Sequence, residues 1–183
     1  MPKTLRCRFR QVTLVLLASL LLAGNGAAAD RIERTGDALQ IFLPTAALVS
    51  TLFVDDFERQ GDFYKSFIAT AGITHGLKYS IDKQRPTSRD TNSFPSGHTS
   101  AAFQGAAYIH RRHGLGYGLP AYAGAAFVGY SRVHAGKHFV EDVLAGAALG
   151  IGASFFFTRS RHGVVVTPSA GDGSFDINVN LEF

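Results

Sequence analysis

Three clusters of chemistry-bearing side chains crowd the stretch from Lys78 to Asp142. Lys78 is followed after six residues by Arg85-Pro86; Pro95-Ser96-Gly97-His98 comes next; Ser131-Arg132 is followed after five residues by His138, with Asp142 four further on. Each cluster suits one part of a site that handles phosphate. Lys78, Arg85 and Arg132 supply cations, and the two guanidinium groups can grip oxygens in bidentate fashion. Ser96 has the character of a helix N-cap, which places Gly97 and His98 in the first turn. Free backbone N–H groups there point outward with the positive end of the helix dipole and make a seat for an anion. Gly97 lets that backbone approach a ligand with no Cβ in the way.

His138 and Asp142 stand at i and i+4, a spacing that puts them on one helical face within reach of each other. A carboxylate on one imidazole nitrogen fixes the tautomer and leaves the other nitrogen as a nucleophilic lone pair. His98 is then available to protonate a departing alkoxide. Metal-ligand spacing is missing: His134 and His138 are one turn apart, but neither HExxH nor a cysteine set accompanies them. Taken singly, an Arg-Pro pair or an i,i+4 His–Asp pair is ordinary surface or packing detail. Three clusters in this order, with eight specified residues, are hard to produce by accident.

These side chains need a scaffold. Weakly charged segments at Ala38–Val54, Phe63–Leu77, Thr99–Ile109, Gly114–Tyr130 and Val143–Thr158 are separated by charged or turn-forming clusters. Their length and their Ala, Leu and Gly content predict helices, hence an all-α bundle of about five, spanning residues 30–162. Gly146, Gly150 and Gly152 put small residues where a helix can pack closely on a neighbour. Beyond His162, Val164–Val166 and the alternation Phe175, Ile177, Val179, Leu181, Phe183 predict a short β-hairpin tail over 163–183, one that could cover an end of the bundle.

The 18 basic residues outnumber the 14 acidic ones, but Lys3, Arg6, Arg8 and Arg10 all precede the first acid, Asp30, and from there the tally is 14 against 14. A neutral body removes the argument for a nucleic-acid partner. Residues 1–29 read as an export signal: a basic start, the apolar run Val12–Ala23, and small residues up to Ala29, where cleavage is expected. The sole cysteine, Cys7, lies inside this segment. The expected location is the periplasm, soluble or on the periplasmic face of the inner membrane. Two features argue against spanning helices. Pro120 as the first residue of its helix leaves only about 18 Å to Ser131, with Pro44 acting similarly on the first helix, and mean hydropathy beyond the signal is about zero. The basic clusters His110–His113 and Thr158–His162, sharing one side, favour spanning; the acidic cluster Asp55–Asp62 on that side opposes it.

The three clusters resemble the signature of the type 2 phosphatidic acid phosphatase superfamily, Lys-x6-Arg-Pro, Pro-Ser-Gly-His and Ser-Arg-x5-His-x3-Asp, and every specified position matches. That superfamily includes lipid phosphatases, class A acid phosphatases and vanadium haloperoxidases. The resemblance implies an all-helical core and a cofactor-free, metal-independent phosphatase that passes through a phosphohistidine. By position, His138 corresponds to the nucleophile, Asp142 to its orienting partner and His98 to the general acid, with Lys78, Arg85, Ser96, Gly97 and Arg132 as the phosphate cradle. The expected substrate is a phosphorylated lipid or a small phosphomonoester, met at a membrane surface in the first case. Only eight residues, Thr87–Phe94, separate the first two motifs, which implies little lid. Arg89 reads as a solvated loop residue, Lys137 as exposed, and His75 and His134 as packing or surface histidines. The alternatives are a vanadate-dependent haloperoxidase, which is normally a much longer chain, and a phosphate-binding module without turnover.

Overall fold

The computed structural model describes the backbone of residues 28–54, 57–160, 163–171 and 174–182 and the side chains of 30–52 and 60–160. Five helices follow one another, α1 (Ala28–Val54), α2 (Phe57–Ser80), α3 (Gly97–His113), α4 (Leu115–His134) and α5 (Val140–Phe157), and then two strands, β1 (Gly163–Gly171) and β2 (Ser174–Glu182). The fold is all-α, as the segment lengths predict. Helix α3 is central and packs against the other four. The expected export segment lies outside the described residues up to position 27.

Every helix runs further than its apolar stretch, because charged and polar residues at the ends continue the helical backbone without entering the core. Neither proline marks a boundary: Pro44 and Pro120 both lie inside their helices. Pro120 is the sixth residue of α4, just beyond the first turn whose N–H groups have no intrahelical partner, so only one backbone hydrogen bond is forgone. The 20 residues of α4 therefore reach about 30 Å, the thickness of a bilayer core, and the expectation of a helix too short to span is wrong. Among the described residues one helix, Val140–Phe157, is both long and apolar enough to cross a membrane, with mean hydropathy 1.5.

The interior is built from small residues. Between α1, α3 and α4 lies an apolar cluster of Leu39, Leu43, Ala102, Ala106, Ala121, Ala125 and Val128. Where α2, α3 and α5 meet, the filling is polar instead: Thr74 donates to Ser100 at 3.0 Å, Gln104 Nε2 to Ser66 at 2.9 Å, and the Ser154 hydroxyl to the Gln104 carbonyl at 2.9 Å. Helix α5 lies on α3 through two glycines. A Cβ on Gly146 would come within 2.5 Å of the Ser96 carbonyl oxygen, and one on Gly150 within 2.6 Å of the Gln104 nitrogen, whereas one on Gly152 would meet nothing. The expected stripe is thus two residues long.

Large apolar side chains point outward. Phe156 is 82% exposed, Ile68 67%, Ile41 64% and Leu144 63%. A small, partly polar inside with a large, apolar outside reverses the usual distribution of a water-soluble domain. At the end opposite the motifs, the Arg159 N–H donates to Asp62 and Arg111 reaches the Thr158 carbonyl, so these described members of the basic and acidic clusters do share one side.

The hairpin forms, with Val164 opposite Leu181, Val166 opposite Val179 and Gly171 opposite Ser174. The ladder extends past the Val164–Val166 run to take in Thr167–Gly171. Whether the tail covers the bundle turns on side chains outside the described residues.

Candidate active site

Two connections and one helix terminus build the site. After α2, Lys83 N–H donates to the Thr91 carbonyl, Ser93 N–H to the Lys83 carbonyl and Arg85 N–H to the Asp90 carbonyl, so residues 83–93 fold back on themselves. That loop ends in a cis Phe94–Pro95 bond and delivers Ser96 as the N-cap of α3. The Ser96 hydroxyl makes no cap; it accepts from Thr99 at 3.0 Å and leaves the first-turn N–H groups to other partners. After α4, the chain turns at Gly136, whose φ of 64° is a left-handed value that favours glycine and whose carbonyl accepts from Thr87. The turn docks on the first loop, and Lys137 and His138 N–H both point back to the Arg132 carbonyl.

One cavity of about 450 Å³ opens where these pieces meet, and its lining includes Lys78, Arg85, Gly97, His98, Arg132 and His138. Six of the eight signature residues therefore converge. The other two, Ser96 and Asp142, are fully buried behind the wall. A Cβ on Gly97 would stand 3.7 Å from Lys78 Cε, ordinary contact, so packing does not demand glycine there.

His138 and Asp142 do not share a helical face. Phe139 is the N-cap of α5, so His138 precedes the helix and Asp142 is its third residue, its carboxylate turned back to accept from the Phe139 N–H at 2.9 Å. His138 Nδ1 stands 3.7 Å from Asp142 Oδ2, beyond hydrogen-bond reach. The carboxylate is occupied by other donors: Ser93 Oγ at 2.5 Å on Oδ2 and Lys83 Nζ at 2.6 Å on Oδ1. Burial, then the nearby Lys78 and Arg85 cations, push His138 down to about 4, against the opposing pull of Asp142 and the Ser93 backbone. Its imidazole is therefore neutral at ordinary pH, with its lone pair available.

Across the cavity, His98 Nε2 stands 3.2 Å from Asp37 Oδ1, which Arg132 also engages at 2.7 Å. Arg132 is buried and donates further to the Glu33 carbonyl at 2.9 Å. Burial lowers His98 below its ordinary value and Arg132 adds to that, while Asp37 opposes. Arg85 faces Asp90 at 3.2 Å, and Lys78 Nζ donates to the Asn92 carbonyl at 2.9 Å.

Sequence reasoning missed Asp37, Lys83 and Ser93. The available signal for the first was Asp30, Glu33 and Asp37 at i, i+3 and i+7, an acidic stripe at the start of α1. Lys137 is half-buried rather than exposed: it lines the cavity and is held there by Glu33, while His75 is exposed, as expected, and lines the cavity as well. His134 is exposed and stacks on Tyr130, and Arg89 is exposed, as expected. Among the described residues, no group of three or more His, Cys, Asp or Glu is placed to hold a metal ion.

The PAP2 superfamily model matches residues 62–164. The chain is 30% identical to the lipid A 4'-phosphatase of Helicobacter pylori over 69% of each chain. It is 41% identical to the lipid A 1-phosphatase of Porphyromonas gingivalis over 44% of its own length, but spans only 19% of that protein. The crystal structure of Aquifex aeolicus LpxE superposes with a TM-score of 0.61 at 22% identity, covering 78% of this chain and 92% of that one, a likeness of fold.

Proposed function

As a member of the PAP2 superfamily, to which the chain belongs, it is a phosphomonoester hydrolase, and we propose that its substrate is a phosphorylated lipid and its route a phosphohistidine on His138. The observation that carries this reading is the shared cavity, in which a buried neutral imidazole faces three cations and a helix N-terminus.

In the first step the phosphate oxygens sit among Lys78, Arg85, Arg132 and the first-turn N–H groups of α3, which spread the charge of the transferring group. The His138 lone pair attacks phosphorus, forming the P–N bond as the ester P–O bond breaks, and His98 gives its proton to the leaving oxygen. Asp142 stabilises the positive charge that develops on His138. In the second step water attacks phosphorus, His98 takes a proton from it, the P–N bond breaks, and phosphate leaves with His138 restored. Positioning and charge account for the catalysis, with no metal ion required.

Three observations support a lipid substrate. Two similar proteins are named as lipid A phosphatases. The outward apolar side chains suit a bundle associated with a membrane. A second cavity of about 410 Å³, lined by Ile41, Pro44, Leu48, Phe63 and Phe67 among others, adjoins the first and shares Gln40, Phe67 and Ala101 with it. It gives an acyl chain an apolar path beside the phosphate site. Residues 1–29 serve as the export signal that brings 30–162 to the periplasmic side, and 163–183 form the tail; the basic start and apolar run support the first assignment.

The test is phosphate release from an aryl phosphate and from phosphatidate vesicles, with EDTA present, by wild type and His138→Ala. The reading requires EDTA-insensitive release by wild type, greater on vesicles, and none by the variant; equal release by both proteins rejects it.

A further inference from the structure

Asp142 is the most heavily engaged carboxylate at the site. Its two oxygens receive Lys83, Ser93 and the Phe139 N–H at 2.5–2.9 Å, while the imidazole that would be its partner stands off at 3.7 Å. We propose that Lys83 and Ser93 are positioning residues for the reaction: by pinning one oxygen each of the Asp142 carboxylate, they fix its distance and direction from His138. The proposal rests on the reading of His138 as nucleophile.

Lys83 is placed for this task rather than for gripping phosphate. Among the described residues it does not line the cavity; it reaches behind the wall. It bridges Asp142 to Glu141 at 2.8 Å, and its ammonium lies over the rings of Phe94 at 5.8 Å and Phe139 at 4.8 Å. Its own backbone is tied on both sides, to Thr91 and to Ser93. One side chain thereby locks the loop carrying Arg85, the cis turn leading into α3 and the first turn of α5. Burial acts to lower Lys83, but hydrogen bonds to Asp142 and Glu141 prevail and hold it above the ordinary lysine value. It stays a cation. Ser93, fully buried, adds a hydroxyl whose geometry is set by the same loop.

The charged groups facing the His138–Asp142 pair are Lys78 from α2, Lys83 and Arg85 from the loop with Asp90 opposite Arg85, and Glu141 from α5; His98, Arg132 and Lys137 face the cavity from its other walls. With Lys83 removed, Asp142 Oδ1 loses its partner and the carboxylate is free to swing toward His138 Nδ1, which makes the imidazole easier to protonate.

The experiment compares Lys83→Met, Lys83→Arg and Ser93→Ala in the full chain, on the aryl phosphate, with folding followed by circular dichroism. Lys83→Met is expected to lower kcat about 10- to 100-fold with KM little changed, since misplacement by about an ångström costs that much. The acid limb of its pH profile is expected to move up by about one unit, the size of effect a freed neighbouring charge exerts. Lys83→Arg restores most of the loss. Ser93→Ala shows the same pattern more weakly and carries the test if Lys83→Met does not fold. The His138 titration, followed by NMR of 15N-histidine protein, reads the same shift without turnover, so failure of this proposal is separable from failure of the phosphatase reading. Unchanged kcat and an unmoved His138 titration in Lys83→Met and Ser93→Ala overturn it, as does a rise in KM alone.

Discussion

Two histidines face the same cavity, each beside a carboxylate, yet the two halves of the site are built differently. The His138 half is sealed: its imidazole is 4% exposed and its carboxylate 0%. The His98 half is open, with His98 40% and Asp37 44% exposed. Asp142 is tied by donors from a loop and its own helix end, whereas Asp37 is shared between His98 and Arg132. Burial lowers both imidazoles, and drives His138 furthest, to about 4. The lesson is that environment can divide two identical side chains: one is kept neutral and sealed, as the proposed attack requires, and the other is left open to water, as the proposed proton transfer requires.

The comparison breaks most sharply at His138. His138→Ala is expected to lower kcat by at least about 10⁴-fold, since removing the proposed nucleophile leaves only binding and electrostatics; single-turnover assays of phosphate release measure this. A loss under tenfold would make the two halves equivalent.

Asp142→Asn is next. The amide keeps the shape but removes the charge that opposes the lowering of His138, so kcat falls about 10²-fold or more and the acid limb moves below 4. On the open side, Asp37→Asn removes the influence that holds His98 up. His98 then loses its proton at lower pH, the alkaline limb shifts toward acid by about one unit, and kcat/KM near neutrality falls about tenfold. A steady-state series from pH 3 to 9 reads both limbs.

The smallest effect is the shape of the wild-type profile itself. The proposed route needs His138 neutral and His98 protonated. Activity therefore rises as pH increases through about 4 and falls as His98 deprotonates below 6.5. A flat kcat/KM across that window would contradict the division of roles.

The sequence made the sealed half more legible than the open half. His138 and Asp142 lie four residues apart, and short spacing survives as proximity even though the pair meets at a helix start, not along a helix face. Asp37 is ninety-five residues from Arg132, and nothing local marks it as a partner; only folding α1 against α3 and α4 brings it there. Lys83 was hidden differently, inside the variable stretch of the first motif, because its role depends on a loop folding back through Thr91 and Ser93. Helix identity was readable from Ala- and Gly-rich segments. Helix ends were not, since Pro44 and Pro120 sit inside helices whose lost hydrogen bonds the packing tolerates.

The most direct measurement is chemical trapping of the enzyme during turnover. Wild-type protein mixed with a phosphomonoester, quenched in alkali within milliseconds and analysed by peptide mass spectrometry should carry an acid-labile, alkali-stable phosphoryl group on the peptide containing His138, and His98→Ala should still form it from an aryl phosphate whose leaving group needs no proton. Turnover with that peptide unmodified at every quench time, or with the phosphoryl group on another residue, would contradict the account.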